Sequence, residues 1–167
     1  MAAANLTAAR AREVLAYDPE TGALTRRIRS ANMVVVGEVA GCLSGNGYIM
    51  VSVNGKQYRA HRLAWLIQTG EWPPADIDHL NGVRTDNRWA NLRAVSRSVN
   101  NENQRAAKST NKSAGLLGVS FIPRLGKFRA LIRADGKNKH IGVFLTAEAA
   151  HQAYVAEKRR LHRGCTL

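Results

Sequence analysis

Asn54-Gly55 stands between two runs of β character, Tyr48-Ile-Met-Val-Ser-Val53 and Lys56-Gln-Tyr-Arg-Ala60. An Asn-Gly pair tolerates the positive φ angles of a two-residue reversal, so this is the strongest short hairpin signal a sequence can carry. It commits the first third of the chain to antiparallel strands. A second reversal is written in Tyr17-Asp-Pro-Glu-Thr-Gly22, between Val14–Tyr17 and Ala23–Ile28. Pro and Gly there are placed to turn the chain back on itself. Val34–Val39 is a further apolar run, and Ala8–Ala16 reads as a short helix.

The period then changes. In His61–Gln68, Leu63, Leu66 and Ile67 repeat at helical spacing, and Gly70 can end the helix. Pro73 and Pro74 force a loop. Asp76–Leu80 and Asn91–Val95 are short enough to be strands, separated by a polar, turn-like stretch at 81–87, and Ser96–Ala107 reads as a helix with Ser96 or Ser98 as N-cap. Lys108–Ser113 is small, polar and basic and reads as a linker. Beyond it, Leu117–Ile122, Phe128–Arg133 and His140–Phe144 read as three strands, and Thr146 caps a helix running to about Leu161.

Charge narrows the class of partner. The 167 residues carry 25 Lys and Arg against 12 Asp and Glu, a formal net charge of +13. A field of that sign draws polyanions, nucleic acid before membrane surfaces. From Arg105 to His140 there are nine Lys and Arg and a single acid, Asp135. Solvated faces usually mix the signs, so this segregation favours phosphate contact. Cys42 and Cys165 lie far apart with no CxxC pair, which excludes a four-cysteine zinc site and leaves two free thiols. The apolar start at Met1–Ala4 is too short for a signal peptide, and no run approaches a membrane span. A cytoplasmic location and no membrane partner are the expectation.

The chemistry concentrates in Ile77-Asp-His-Leu-Asn-Gly82, continuing through Asp86-Asn-Arg-Trp-Ala-Asn-Leu92 to Asn100, with His61-Arg-Leu-Ala-Trp65, Gly70 and Pro74 upstream. This pattern resembles the HNH endonucleases of phage and homing type, over roughly residues 15–105. The resemblance implies a ββα-metal fold at about 75–106, in which two strands and a helix hold one divalent ion, magnesium or manganese. It makes Asp78 and Asn100 the metal's protein ligands, His79 the general base, and Asn91 a structural residue that braces the loop between the strands. The last motif position is Asn100 rather than His, a variant shared by several homing-type members. The residue types suit that chemistry. A hard cation keeps several waters and needs only one or two protein oxygens, and a His of ordinary pKa takes a proton from water near neutral pH. Adjacent residues on a strand face opposite ways, so Asp78 and His79 can serve one site only if the strand ends or bends there. His61 reads as a packing residue near DNA. Arg62, Arg84 and Arg88 are open between phosphate contact and solvation, and Asp86 reads as a loop former.

The tail, with Gly118-Val-Ser-Phe121, Gly126–Arg133, Lys139–Phe144 and Thr146–Tyr154, resembles the DNA-binding domain of the plant ethylene-response (Apetala-type) factors, over roughly 114–164. That family implies a three-stranded sheet laid in the DNA major groove. On residue type, Arg124, Lys127, Arg129, Arg133, Lys139 and His140 are the DNA-binding candidates, with Arg129, Leu131 and Arg133 on one face and Phe128, Ala130 and Ile132 against the helix. Leu117 and Ser120 stand where the plant domain has Arg and Trp, so its target sequence does not carry over. His151 and His162 read as structural or surface residues.

Together these readings predict an α+β chain: a nuclease domain at 1–107 with N-terminal antiparallel strands, a linker at 108–113, and a small sheet-and-helix module at 114–167. The expected function is metal-dependent hydrolysis of duplex DNA by a His-activated water, leaving a 5′-phosphate and a 3′-hydroxyl. The expected state is a monomer or weak dimer without a small-molecule cofactor, in a bacterial host cell if phage-encoded. The alternative is a non-catalytic DNA-binding regulator built on the same scaffold.

Overall fold

The computed structural model describes residues 6–29, 34–107, 111, 114–162 and 165–166. The expected linker at 108–113 lies outside the described residues apart from Asn111. Two compact units are formed, Met1–Ser96 and Arg97–Leu167.

In the first unit, helix α1 (Ala8–Val14) is capped by Thr7, whose side chain accepts from the Arg10 amide. It runs directly into β1 (Leu15–Tyr17), which pairs antiparallel with β2 (Leu24–Arg26) across the Asp18–Gly22 turn. Gly22 has φ +75°, and a Cβ there would sit 2.4 Å from the Arg88 amide nitrogen. Only glycine lets this turn lie against the loop that precedes β7. A three-stranded antiparallel sheet follows in the order β3 (Cys42–Leu43), β4 (Ile49–Val53), β5 (Lys56–Arg59). Asn54 and Gly55 both take positive φ at the β4–β5 reversal, as the hairpin signal requires. Helix α2 (Ala60–Thr69) starts as β5 ends and stops at Gly70, which is left-handed and donates to the Leu66 carbonyl. Its apolar face enters a core with Val14, Leu15, Leu24, Val51 and Val53. The Val34–Val39 run forms no strand; Val35, Val36 and Val39 are exposed, and Val39 makes one bridge to Thr25. The last pair of this unit is β6 (Asp76–His79) and β7 (Leu92–Val95), antiparallel with Asp78 opposite Arg93 and His79 opposite Leu92. Ile77 and Leu92 pack on Ala64 of α2.

In the second unit, α3 spans only Arg97–Glu102, shorter than expected. It buries no residue, and its Asn-rich sequence has weak helix propensity, so neither packing nor backbone preference extends it. The antiparallel sheet has the order β10 (Lys137–Phe144), β9 (Lys127–Ala134), β8 (Val119–Ile122). Helix α4 (Ala147–Leu161), capped by Thr146, packs on it through Ala150 and Tyr154 against Val119, Ala130 and Ile132. Gly118 has φ +77°, and a Cβ there would sit 2.0 Å from the Tyr154 ring. This is the close approach that seats the helix on the sheet. Lys158 is 1% exposed and donates to the Gln104 carbonyl, while Arg105 and Asn103 both engage Thr166. These contacts strap the segment after α3 to α4.

Candidate active site

β6 delivers Asp78 and His79 at its end. The strand stops at His79, whose carbonyl accepts from the Gly82 amide as the chain turns. Alternation sends the two side chains to opposite faces of the β6–β7 ribbon, and both are buried, Asp78 at 6% and His79 at 4% exposure. Asp78 meets its cross-strand neighbour: Arg93 donates to Oδ2 through Nε at 3.0 Å and Nη2 at 2.8 Å. A buried carboxylate needs such a counter-charge.

His79 turns to the α2 side. Its ring lies edge-on to His61 at 5.0 Å between centroids and 6.1 Å from Tyr48. Nε2 is 3.2 Å from Asn87 Oδ1, and Asn87 Nδ2 donates to the Thr85 carbonyl. An amide oxygen can only accept, so Nε2 carries the proton and Nδ1 the lone pair. Burial pushes the His79 pKa down, against upward pulls from the Asn87 hydrogen bond and from Asp78 and Asp86. His61 is pushed down to about 3, first by burial and then by His79, Arg59 and Arg62. It is a neutral packing partner at any physiological pH.

The loop from 80 to 91 is braced from inside. Asn91, 7% exposed, accepts from the Asn81 amide through Oδ1 at 2.9 Å and donates from Nδ2 to the Asp86 carbonyl at 2.7 Å. Asp86 takes the Asn81 amide group and the Arg88 guanidinium, which hold its carboxyl below the usual carboxylate range. Tyr17 donates to the Asn87 carbonyl at 2.8 Å, and its own pKa rises to about 12, chiefly through burial. Asn87 and Arg93 were not singled out by sequence. The signal was present for Arg93: in a two-residue-per-repeat ladder it falls opposite Asp78.

For a metal, the first unit offers one buried carboxylate of hard oxygens. Among the described residues no group of three or more His, Cys, Asp and Glu is placed to hold an ion. That donor set fits a magnesium-like cation, which retains its waters, and not a closed nitrogen-and-sulfur site. Asn100 lies on α3 of the second unit.

The basic candidates separate by face. Lys127, Arg129 and Arg133 leave β9 on the side away from α4, and His140 lies opposite Leu131 on that same side. Arg124 is exposed in the turn after β8. Lys139 lies opposite Ile132 and turns towards the helix, where it pairs with Glu157 at 3.3 Å. Leu131 and Val143 interrupt the basic face with apolar surface. His151 and His162 hydrogen-bond the Leu117 and Arg133 carbonyls and serve the fold.

Residues 58–102 match the family model described as HNH endonuclease. That span holds His61, Asp78, His79, Asn91 and Asn100. A solved structure described as "DNA binding and cleavage by the HNH homing endonuclease I-HmuI" aligns over 90% of this chain and 88% of that chain, at 21% identity and a TM-score of 0.42. A superposition that loose transfers no residue roles. No curated protein matches the chain. The segment that carries the Asp-His pair and its braced loop is the part of the chain that matches HNH endonucleases, and this match supports endonuclease as the enzyme class.

Proposed function

We propose that the protein is a divalent-metal-dependent endonuclease of phage or homing type that hydrolyses phosphodiester bonds in double-stranded DNA, with its second unit as a DNA-binding module. The observation that carries the reading is His79: buried at the end of β6 beside Asp78, with Nε2 against Asn87 Oδ1 and a pKa pushed down chiefly by burial. A general base needs that combination, because a ring that already holds two protons takes none from water. His79 removes the proton from the attacking water. Asp78 would provide the charged oxygen donor to the ion, and Asn100 is the second, neutral donor that the resemblance to HNH endonucleases implies. When bound, Mg2+ (or Mn2+) supplies charge stabilisation at the phosphate and at the departing oxygen. Arg93 keeps the Asp78 carboxylate fixed across the strand pair. Asn91 holds the loop that presents Asn87 to His79. The products are a 5′-phosphate and a 3′-hydroxyl.

In the second unit, Lys127, Arg129, Arg133 and His140 share the outer sheet face, and none of the first three pairs with a carboxylate among the described residues. A basic sheet face of this kind suits the major groove, where Arg reads guanine and phosphates fix register. This is the Apetala-type reading of the module, with Arg124 at its margin. Lys139, held by Glu157, contributes net field more than direct contact.

Supercoiled plasmid incubated with magnesium, and in parallel with a chelator, tests the reading. Conversion to open-circle or linear DNA is expected only with metal, and is expected to fall at least ~100-fold in His79→Ala while gel-shift binding survives. Equal conversion by wild type and His79→Ala would overturn the catalytic assignment. Tight binding without conversion under any metal would favour the regulator.

A further inference from the structure

Several guanidinium groups of the first unit are already committed: Arg10 to Glu13, and Arg12, Arg26 and Arg27 to backbone carbonyls. Arg88 and Arg93 are spent on Asp86 and Asp78. Arg59 and Arg84 are exposed, and neither meets a carboxylate among the described residues. Both are instead drawn to one ring: Arg59 lies 4.6 Å from the Tyr48 centroid and Arg84 5.1 Å. They arrive from separate elements, Arg59 from the end of β5 and Arg84 from the braced loop, where its Nη1 also donates to the Asn46 carbonyl at 2.8 Å. The same tyrosine touches the His61 ring at 5.2 Å and the His79 ring at 6.1 Å. Two like charges gathered on one ring repel each other, and the ring's quadrupole offsets this only partly. Anionic groups drawn to this pair of cations offset the repulsion. A guanidinium held near an aromatic ring has given up part of its rotamer freedom, and its five N–H donors leave several to meet phosphate oxygens.

We infer that Tyr48, Arg59 and Arg84 form a phosphate clamp beside His79, holding the nucleic-acid backbone next to the bond to be cut. Tyr48 is the seat and the two arginines are the contacts. The inference rests on the endonuclease reading, and it makes the pair positioning residues rather than participants in proton transfer.

The test uses the full chain carrying His79→Ala, so that binding is read without turnover. The affinity for a duplex is measured from 50 to 200 mM salt. Each phosphate contact contributes about 0.9 to the slope of log affinity against log salt. Arg59→Ala and Arg84→Ala are each expected to reduce the slope by about that amount, and Arg59→Lys and Arg84→Lys to restore it, since charge sets this term. Arg10→Ala, which removes an arginine already paired with Glu13, serves as the control with unchanged slope. In the cutting enzyme the same alanine variants are expected to raise KM more than they lower kcat. Unchanged slopes in both alanine variants overturn the clamp, as does a slope that only follows a fall in melting temperature, which would make Arg84 a loop tie through Asn46. Because the readout is binding, failure of the wild type to cut would sink the nuclease reading, while the salt slopes of the arginine variants still decide the phosphate contacts.

Discussion

Replacing Asn91 by Ala removes both ends of the brace inside the 80–91 loop. The Asn81 amide loses an acceptor at 2.9 Å and the Asp86 carbonyl loses a donor at 2.7 Å. An unsatisfied buried backbone group costs about 1–3 kcal/mol. Asn81 and Asp86 are half-buried, so water partly compensates, and the lower end applies to each. The sum is about 2 kcal/mol, which for a unit of this size lowers the melting temperature by about 8–16 °C. Thermal unfolding followed by circular dichroism measures it. Cleavage by the folded variant, assayed well below its transition, is expected to drop about tenfold, because the same loop presents Asn87 to His79 and small misplacements of a base are costly.

Asn91→Asp sharpens the test. One carboxylate oxygen still accepts from the Asn81 amide, but the other now faces the Asp86 carbonyl with no proton to give. Burial and hydrogen-bond donation by the neutral form both raise the folded-state pKa of such a group. With the folded pKa above the unfolded one, the favourable protonated contact is fully present below the unfolded value and is lost as pH rises through the folded value. The gap in melting temperature between Asn91→Asp and wild type is therefore expected to be large at pH 7 and to narrow towards pH 4. An Asn91→Ala variant melting within 2 °C of wild type, or an Asn91→Asp gap independent of pH, would refute the brace.

Gly118→Ala forces a Cβ to 2.0 Å from the buried Tyr154 ring at φ +77°; left-handed strain of about 1–2 kcal/mol adds to overpacking of about 1–3 kcal/mol, and urea titration is expected to show the second unit unfolding first, whereas an unchanged midpoint would mean the helix is not seated there. Arg133→Ala is expected to lower the salt slope of duplex binding by about 0.9 while Lys139→Ala leaves it nearly unchanged, because Lys139 faces α4 and Glu157; equal effects would mean the sheet face is not the contact surface. Arg93→Ala removes the counter-charge from a buried carboxylate and is expected to cost about 3 kcal/mol, with magnesium raising the melting temperature of the variant more than that of wild type. A metal effect no larger than in wild type would argue against Asp78 as a ligand.

Local signals were the legible ones. Asn54-Gly55 needed only its own backbone preferences, Gly70 only a helix to end, and Thr146 only an amide three residues on to cap. What resisted reading depended on partners distant in sequence. Val34–Val39 has the composition of a strand, yet the structure gives it no ladder beyond one bridge. The face of Lys139 was illegible for a different reason. Counting by twos back from Phe144, which packs on the helix side, puts Lys139 outward and His140 inward. A β-bulge between His140 and Gly142 adds a residue to one strand and reverses that assignment. Asp78 and His79 were legible as a pair of residue types. The residues that hold them, Arg93 and Asn87, come from the facing strand and the loop between.

The choice of an amide at position 87 bears on what His79 can do. A carboxylate in its place would orient the ring equally well, but it would favour the imidazolium and hold the ring in the form unable to accept a proton. An amide oxygen fixes the tautomer with a weaker upward pull, and burial against His61 and Tyr48 outweighs it. Position is set by the loop, tied at Asn91 and Asp86 within itself and by Tyr17 to the N-terminal hairpin. The Gly22 turn closes on the same stretch of backbone at Asn87 and Arg88. The hairpin, remote from His79 in sequence, thus helps hold the stretch of loop that sets Asn87 Oδ1 against Nε2.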